Sequence, residues 1–374
     1  MAGIYFHIPF CRRQCGYCDF YRTTKLRLME SVVAQMHNEL EQTVGFLHDR
    51  KVATIYFGGG TPSLLHPSEI ERFIEHIRAL YDVSAEAEIT IEVNPDDVTD
   101  EYVAALQHTS VNRISMGVQS LDDACLQLMG RRHTAQQAVE AVERLKGAGY
   151  DNISLDLIFG IDGFGGDSLR RTVEGIVALD VAHISAYHLT IEEGSRFGRL
   201  VASGSMKQVA DSKSEEEFMM VHRLLTSSGY EHYEVSNYAK PNLRSRHNSA
   251  YWTGDEYLGV GAGAHSFNGE VRRWCEQPIE EYVSQVSYDQ EQLSETDRLN
   301  EFIMVGLRRA EGVSLSEISR RFGVDAANRI RGISQDFIDH GAMVEYSAKG
   351  EVWLAVKADR FLISDHIIST LFVM

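Results

Sequence analysis

The sequence predicts an α/β protein: a partial, parallel (β/α)6 barrel over residues 1–235, followed by a smaller mixed α+β domain over 236–374. Three observations predict it. Six short runs rich in β-branched and aromatic residues recur along the first two-thirds of the chain, with longer stretches of helical spacing between them. The runs are almost continuously apolar, as strands are when crossover helices cover a parallel sheet. The polar residues that interrupt them gather at their C-terminal ends, where βα barrels collect their chemistry. A doubly wound sheet is the competing arrangement.

GIYFHI (3–8) is the first strand, and Cys11, Cys15 and Cys18 lie on the loop after it. Apolar residues at Leu28, Val32, Val33, Met36, Leu40, Val44 and Leu47 predict the first helix. VATIYF (52–57) is the second strand and runs into Gly58-Gly59-Gly60-Thr61-Pro62. Ile70, Phe73, Ile74, Ile77 and Leu80 make the next helical stripe. AEITIEV (87–93) brings Glu92, Asn94 and Pro95 to its end, and VNRISMGV (111–118) brings Gln119 and Ser120. A third stripe, Val139, Val142 and Leu145, precedes DNISLDLIF (151–159), which holds Asp156. VAHISAYHL (181–189) ends the series with Tyr187 and His188.

Near residue 235 the rhythm changes to a loop-like aromatic stretch and the glycine-rich GVGAGAHSF, so the boundary is placed at 235–245. Helices are predicted near 297–310, 314–322 and 326–340, with a strand at EVWLAV (351–356). Helix, turn, helix and strand in that order resemble a winged helix. Residues 313–361 carry seven basic and seven acidic side chains, however, without the basic surplus that DNA recognition needs. A lid over the barrel mouth or a partner surface is the plainer reading.

The net charge of −18 disfavours non-specific binding to nucleic acid or anionic lipid. Five cysteines in 374 residues are not a disulfide scaffold. MAGIYFHIPFC does not read as a signal peptide, and no apolar run is long enough to span a membrane. The expected compartment is the reducing cytoplasm, with no stable membrane insertion.

Cys11, Cys15 and Cys18 have the spacing Cys-x3-Cys-x2-Cys. Three thiolates on one loop can hold zinc, an iron–sulfur cluster or nothing. Structural zinc needs a fourth protein ligand, and no second Cys or His pair is suitably spaced, although His7 lies close. A four-iron cube bound by three cysteines keeps one iron open, and an α-amino acid can chelate it through its amine and carboxylate. Taken alone, Gly58–Gly60 is a turn, Glu92 a salt-bridged rim residue and Arg131 one of many surface arginines.

Cys-x3-Cys-x2-Cys with Tyr17 before the last cysteine resembles the radical S-adenosylmethionine (SAM) superfamily. GGGTP (58–62), Glu-x-Asn-Pro (92–95) and SMGVQS (115–120) extend the match. The resemblance implies a [4Fe–4S] cluster on the three cysteines, with SAM on its open iron. One electron then cleaves SAM to a 5′-deoxyadenosyl radical. It further implies that Gly59, Gly60 and Thr61 meet the methionine amine and that Glu92 holds the ribose hydroxyls. Gln119, Arg131 and Asp156 become further cofactor contacts, with Arg131 suited to a carboxylate. Tyr5, Tyr17, Ile158 and Tyr187 would wall the site.

YFHIPFC, GGGTP, IEVNP, GVQS, DLIFG and HNSAYW are similar to the group containing oxygen-independent coproporphyrinogen III oxidase, over most of the chain. The decarboxylating oxidases of that group have a fourth cysteine where this chain has Phe20, and a longer segment ahead of the cluster than the ten residues before Cys11. Both differences point to the sister branch, the heme chaperones of HemW type. A radical oxidase, or another radical reaction on a tetrapyrrole, is the alternative. The branch implies heme as cargo, an acceptor protein and an electron donor. It also implies a His-Asn-x-x-Tyr-Trp motif, present here as His247, Asn248, Tyr251 and Trp252. There His247 could be an axial ligand oriented by Asn248, with the aromatic rings stacked on the macrocycle. A structural loop packed on the barrel is the plainer reading of the same residues. His265 and Cys275 compete as ligands but read as a turn histidine and a buried thiol, and Cys125 reads as core. Two loops depart from the group's pattern, IDGFGGDS (161–168) and EEGSRF (192–197).

Overall fold

A computed structural model describes residues 2–373. Six parallel strands lie side by side in chain order: β1 (Ala2–Ile8), β2 (Lys51–Gly59), β3 (Asp82–Val93), β4 (Arg113–Gln119), β5 (Ile153–Phe159) and β6 (His183–His188). Between and after them run α1 (Met29–Gln42), α2 (Pro67–Leu80), α3 (Asp100–Leu106), α4 (Asp123–Met129), α5 (Ala135–Gly147), α6 (Asp167–Ala178), α7 (Arg196–Ala202) and α8 (Asp211–Ser227).

Alternation along each strand sorts the side chains. Ile4, Phe6 and Ile8, like Ile114, Met116 and Val118, enter the core under the helices. There they meet the stripes predicted for α1 and α2, Val32, Met36 and Leu40 against Ile70, Phe73 and Ile77. The opposite set faces the barrel interior and is polar: Thr54 and Tyr56, Glu88 and Glu92, Arg113 and Ser115, Ser154 and Asp156, His183 and Ser185. The expected partial barrel is therefore the observed one, with a polar lumen.

The sheet runs on past the boundary expected at 235–236. The hairpin β7 (Glu231–Glu234) and β8 (Asn237–Ala239) pairs antiparallel with β6. After α9 (Arg246–Thr253), strand β9 (Tyr257–Val260) pairs parallel with β1 on the other edge. β10 (His265–Phe267), β11 (Val271–Trp274) and, after α10 (Ile279–Tyr282), β12 (Asp289–Gln292) extend that edge to make twelve strands. A compact module begins only with α11 (Glu295–Leu307). In it β13 (Val313–Ser314), α12 (Leu315–Phe322), α13 (Val324–Asp339), β14 (Met343–Ala348) and β15 (Glu351–Val356) form the helix–turn–helix–strand pattern, closed by α14 (Ser364–Leu371). Arg320 pairs with Glu317 and Arg331 with Glu345, so these cations are spent within the module. Among the described residues no helix is long and apolar enough to cross a membrane.

Candidate functional site

The cysteine loop is pinned by backbone hydrogen bonds. Cys11 N–H donates to the Thr23 carbonyl at 2.9 Å, Thr23 N–H to Pro9 at 2.7 Å, and Gly16 N–H to Met129 at 2.7 Å. The glycines after β2 fit tightly beneath it. Gly59 has φ +106°, and a Cβ there would lie 2.7 Å from the His7 ring. A Cβ on Gly60 would lie 2.8 Å from Ile8 O and Phe10 O, backbone that cannot turn aside. His7 is fully used: its Nε2–H donates to the Tyr21 carbonyl at 2.8 Å, so its Nδ1 accepts the Tyr5 hydroxyl at 3.1 Å.

Above the loop and the strand ends lies a cleft of about 470 Å³. It gathers Cys11, Cys15 and Cys18 with Tyr17, Gly59, Gly60, Thr61, Glu92, Gln119, Arg131, Asp156, Ile158 and Tyr187. Tyr5 is not among its walls. It sits one layer lower, 6.0 Å from the Tyr56 ring, because its strand position alternates with the core residues two places short of the rim.

Glu92 accepts from the Tyr56 hydroxyl at 2.8 Å and from Gly59 N–H at 3.1 Å, so it ties the glycine loop to β3. Burial pushes its carboxyl up to about 7, against the pull of the Tyr56 bond. Burial likewise raises Asp156 to about 6, with the Ser185 hydroxyl and the Arg113 guanidinium pulling back. Arg131 is more committed than its sequence position suggests. Its Nη1 donates to Cys15 Sγ at 3.6 Å and its Nη2 to Asn94 Oδ1 at 2.7 Å and to the Gly117 carbonyl, which leaves Nε alone without a partner. Thr61 Oγ1 donates to Cys11 Sγ at 3.5 Å. Gln119 sits at φ +67° on a register shift of β4 against β5. Such a bulge re-aims a side chain, and the Gln119 Oε1 is buried without a partner.

Asn94, expected at the rim from the sequence, bridges Thr61 and Arg131. Two contributors were not singled out from the sequence. Tyr56 holds Glu92. Arg113, fully buried, is the cation nearest both carboxylates in effect. Tyr56 and Arg113 share the inward face with Gly58 and Gly117, two and four residues on, and that periodicity is the signal that could have found them.

The His247 motif lies elsewhere. Helix α9 plugs the lower end of the lumen. His247 is 2 % exposed, its Nδ1 2.8 Å from Thr54 Oγ1 and its Nε2 3.0 Å from the Tyr251 hydroxyl, and it stacks on Tyr56 at 5.0 Å. Glu88 accepts the N–H groups of Arg246 and His247. No nitrogen of the ring is left for iron: Thr54 and Tyr251, not Asn248, hold the imidazole, and the Asn248 backbone N–H donates to the Ser245 hydroxyl that caps α9. The geometry therefore does not support His247 as an axial ligand. Tyr251 meets Tyr257 edge-on at 4.7 Å, and Trp252 lies under the Arg308 guanidinium. Cys275 and Cys125 are each 1 % exposed, and burial raises their thiols to about 12 and about 11.

A family model described as the radical SAM superfamily matches residues 5–176, and one described as the HemN C-terminal domain matches 293–344. The protein of Lactococcus lactis named heme chaperone HemW is 35% identical over 85% of this chain and 84% of its own length. The chain belongs to the HemW family of radical SAM proteins. The Bacillus subtilis protein of the same name is 30% identical over 95% of both chains. Among solved structures, coproporphyrinogen III oxidase (HemN) from Escherichia coli superposes with a TM-score of 0.83 over 100% of this chain and 90% of that one, at 20% identity. It shares the fold.

Radical SAM membership implies a [4Fe–4S] cluster and SAM, and the cleft fits both. Its three cysteines are free thiols. Three thiolates are one short of the four ligands of a structural zinc site, and they suit a cube whose fourth iron stays open. Gln119 and Arg131 line the cleft, and their buried Oε1 and Nε atoms have no hydrogen-bond partner in the protein.

Proposed function

We propose that this protein binds heme and delivers it to acceptor proteins, and that it holds a [4Fe–4S] cluster and SAM in the barrel cleft. The observation that carries the reading is identity of 30–36% over most of the chain to proteins named heme chaperone HemW. Phe20 supports it. This ring, 68 % exposed, stands where the oxidases would add a fourth thiol. In this reading Cys11, Cys15 and Cys18 hold the cluster, which when loaded supplies one electron to SAM. The backbone at Gly59 and Gly60 admits the methionine amine, and Glu92 accepts from the ribose hydroxyls. Gln119, Arg131 Nε and Asp156 offer the remaining polar contacts, while Tyr17, Ile158 and Tyr187 exclude water.

The test is anaerobic. Cluster-loaded, reduced protein is given SAM and coproporphyrinogen III while heme is titrated in parallel. Heme bound at one equivalent and passed to an apo-hemoprotein, without protoporphyrinogen, is the expected result. Protoporphyrinogen over many turnovers would make the protein an oxidase.

Cofactor binding should depend on pH through Glu92. A carboxyl raised to about 7 is protonated below that pH and then accepts fewer ribose hydrogen bonds. SAM affinity, measured calorimetrically, is expected to fall as pH drops through 7. Tyr56→Phe moves the midpoint upward, because the tyrosine hydroxyl favours the ionised form. A flat profile would remove Glu92 from the ribose.

A further inference from the structure

Behind the cysteine loop is a second hollow, of about 450 Å³, between residues 19–21 and the strands β9 to β11. Phe20, Tyr21, Tyr257, His265, Trp274 and Cys275 are among its walls. It is aromatic on several sides, and Phe20 leaves it open to solvent. A flat, largely apolar ring suits such walls, and an open side suits a ligand that must be handed on.

An iron porphyrin also needs a donor atom. The cysteine here stays protonated, its thiol raised to about 12 by burial. Burial also raises the phenols of Tyr21, Tyr257 and Tyr251, so none is a phenolate near neutral pH. His7 lines the hollow but both its nitrogens are bonded. His265 differs from all of these. It is an exposed residue on β10, directly across from Trp274 on β11, and the two rings stack at 6.1 Å and 21°. Among the described residues no hydrogen bond reaches its ring. Desolvation lowers its pKa, helped by the Arg272 charge, so the imidazole is neutral with a free lone pair. Another cavity, of about 500 Å³ beside Trp252, Phe302 and Arg309, has no imidazole or thiol in its walls.

We infer that His265 is the axial ligand of an iron porphyrin held in the hollow between the cysteine loop and strands β9 to β11. The assignment rests on the heme-binding reading above. It separates cargo from cofactor: Asp19 and Phe20 are the wall shared by this hollow and the SAM cleft, so heme and SAM occupy neighbouring spaces.

The experiment titrates hemin into cluster-loaded wild type and His265→Ala, following the Soret band and the electron paramagnetic resonance of the ferric heme. The variant is expected to lose the imidazole-ligated signature and to bind roughly tenfold more weakly or worse. Free imidazole should restore the signature, with iron content and SAM binding unchanged. An exposed side chain on a paired strand can be truncated without unfolding the sheet. Wild-type spectrum and affinity in His265→Ala would overturn the assignment and leave heme binding standing. Failure of the wild type itself to bind hemin would overturn the functional reading and this assignment with it.

Discussion

Replacing any one of Cys11, Cys15 and Cys18 with serine is expected to remove the iron and abolish reductive cleavage of SAM, with the fold retained. A cube held by three protein thiolates cannot lose one and keep its place. Nothing nearby can substitute. Cys125 is buried on α4 and packs beside Met129, and Cys275 lies across the loop in the other hollow. The loop itself survives, because what pins it is backbone: the bonds of Cys11, Thr23 and Gly16 do not involve sulfur. Iron and sulfide per chain, with the far-ultraviolet circular dichroism as control, test this. A serine variant that reconstitutes to full iron content would mean that the ligand set is different.

The second large effect concerns His247, and it is one of stability. His247→Ala removes a ring packed against Tyr56 and leaves the hydroxyls of Thr54 and Tyr251 facing a hole. A buried large-to-small change of this kind costs about 2–5 kcal/mol, and the stranded polar groups add to it. Urea denaturation should show the loss. The folded fraction should still bind heme with wild-type affinity, since the ring has no nitrogen to offer iron. Unchanged stability with heme binding lost would reinstate His247 as a ligand.

The two histidines illustrate how far the sequence could be read. His247 stands in a motif that the resemblance ties to heme, and His265 in a glycine-rich stretch that reads as a turn. Their availability is the reverse of that. What separates them is which groups meet their nitrogens, and those groups come from far along the chain. Thr54 is 193 residues from His247, and Glu88, which seats its backbone, is 159 residues away.

The sequence by itself determined the strand–helix alternation, the cysteine loop and most of the residues that meet at the cleft. The reason is local. Side chains alternate with period two along a strand, and parallel strands in chain order bring all their C-terminal ends to one rim. Residues at those ends, from Gly59 to Tyr187, had to meet there. Only the tertiary structure decided the rest. It placed Tyr5 a layer below the rim, turned Gln119 into the cleft through a bulge, and bound Arg131 to Asn94 and Cys15. It carried the sheet past residue 235 by pairing β9 with β1, and it closed the barrel floor with α9. Each of these depends on contacts between segments far apart in sequence. Such contacts are set by how the whole sheet closes, and local spacing carries no record of them.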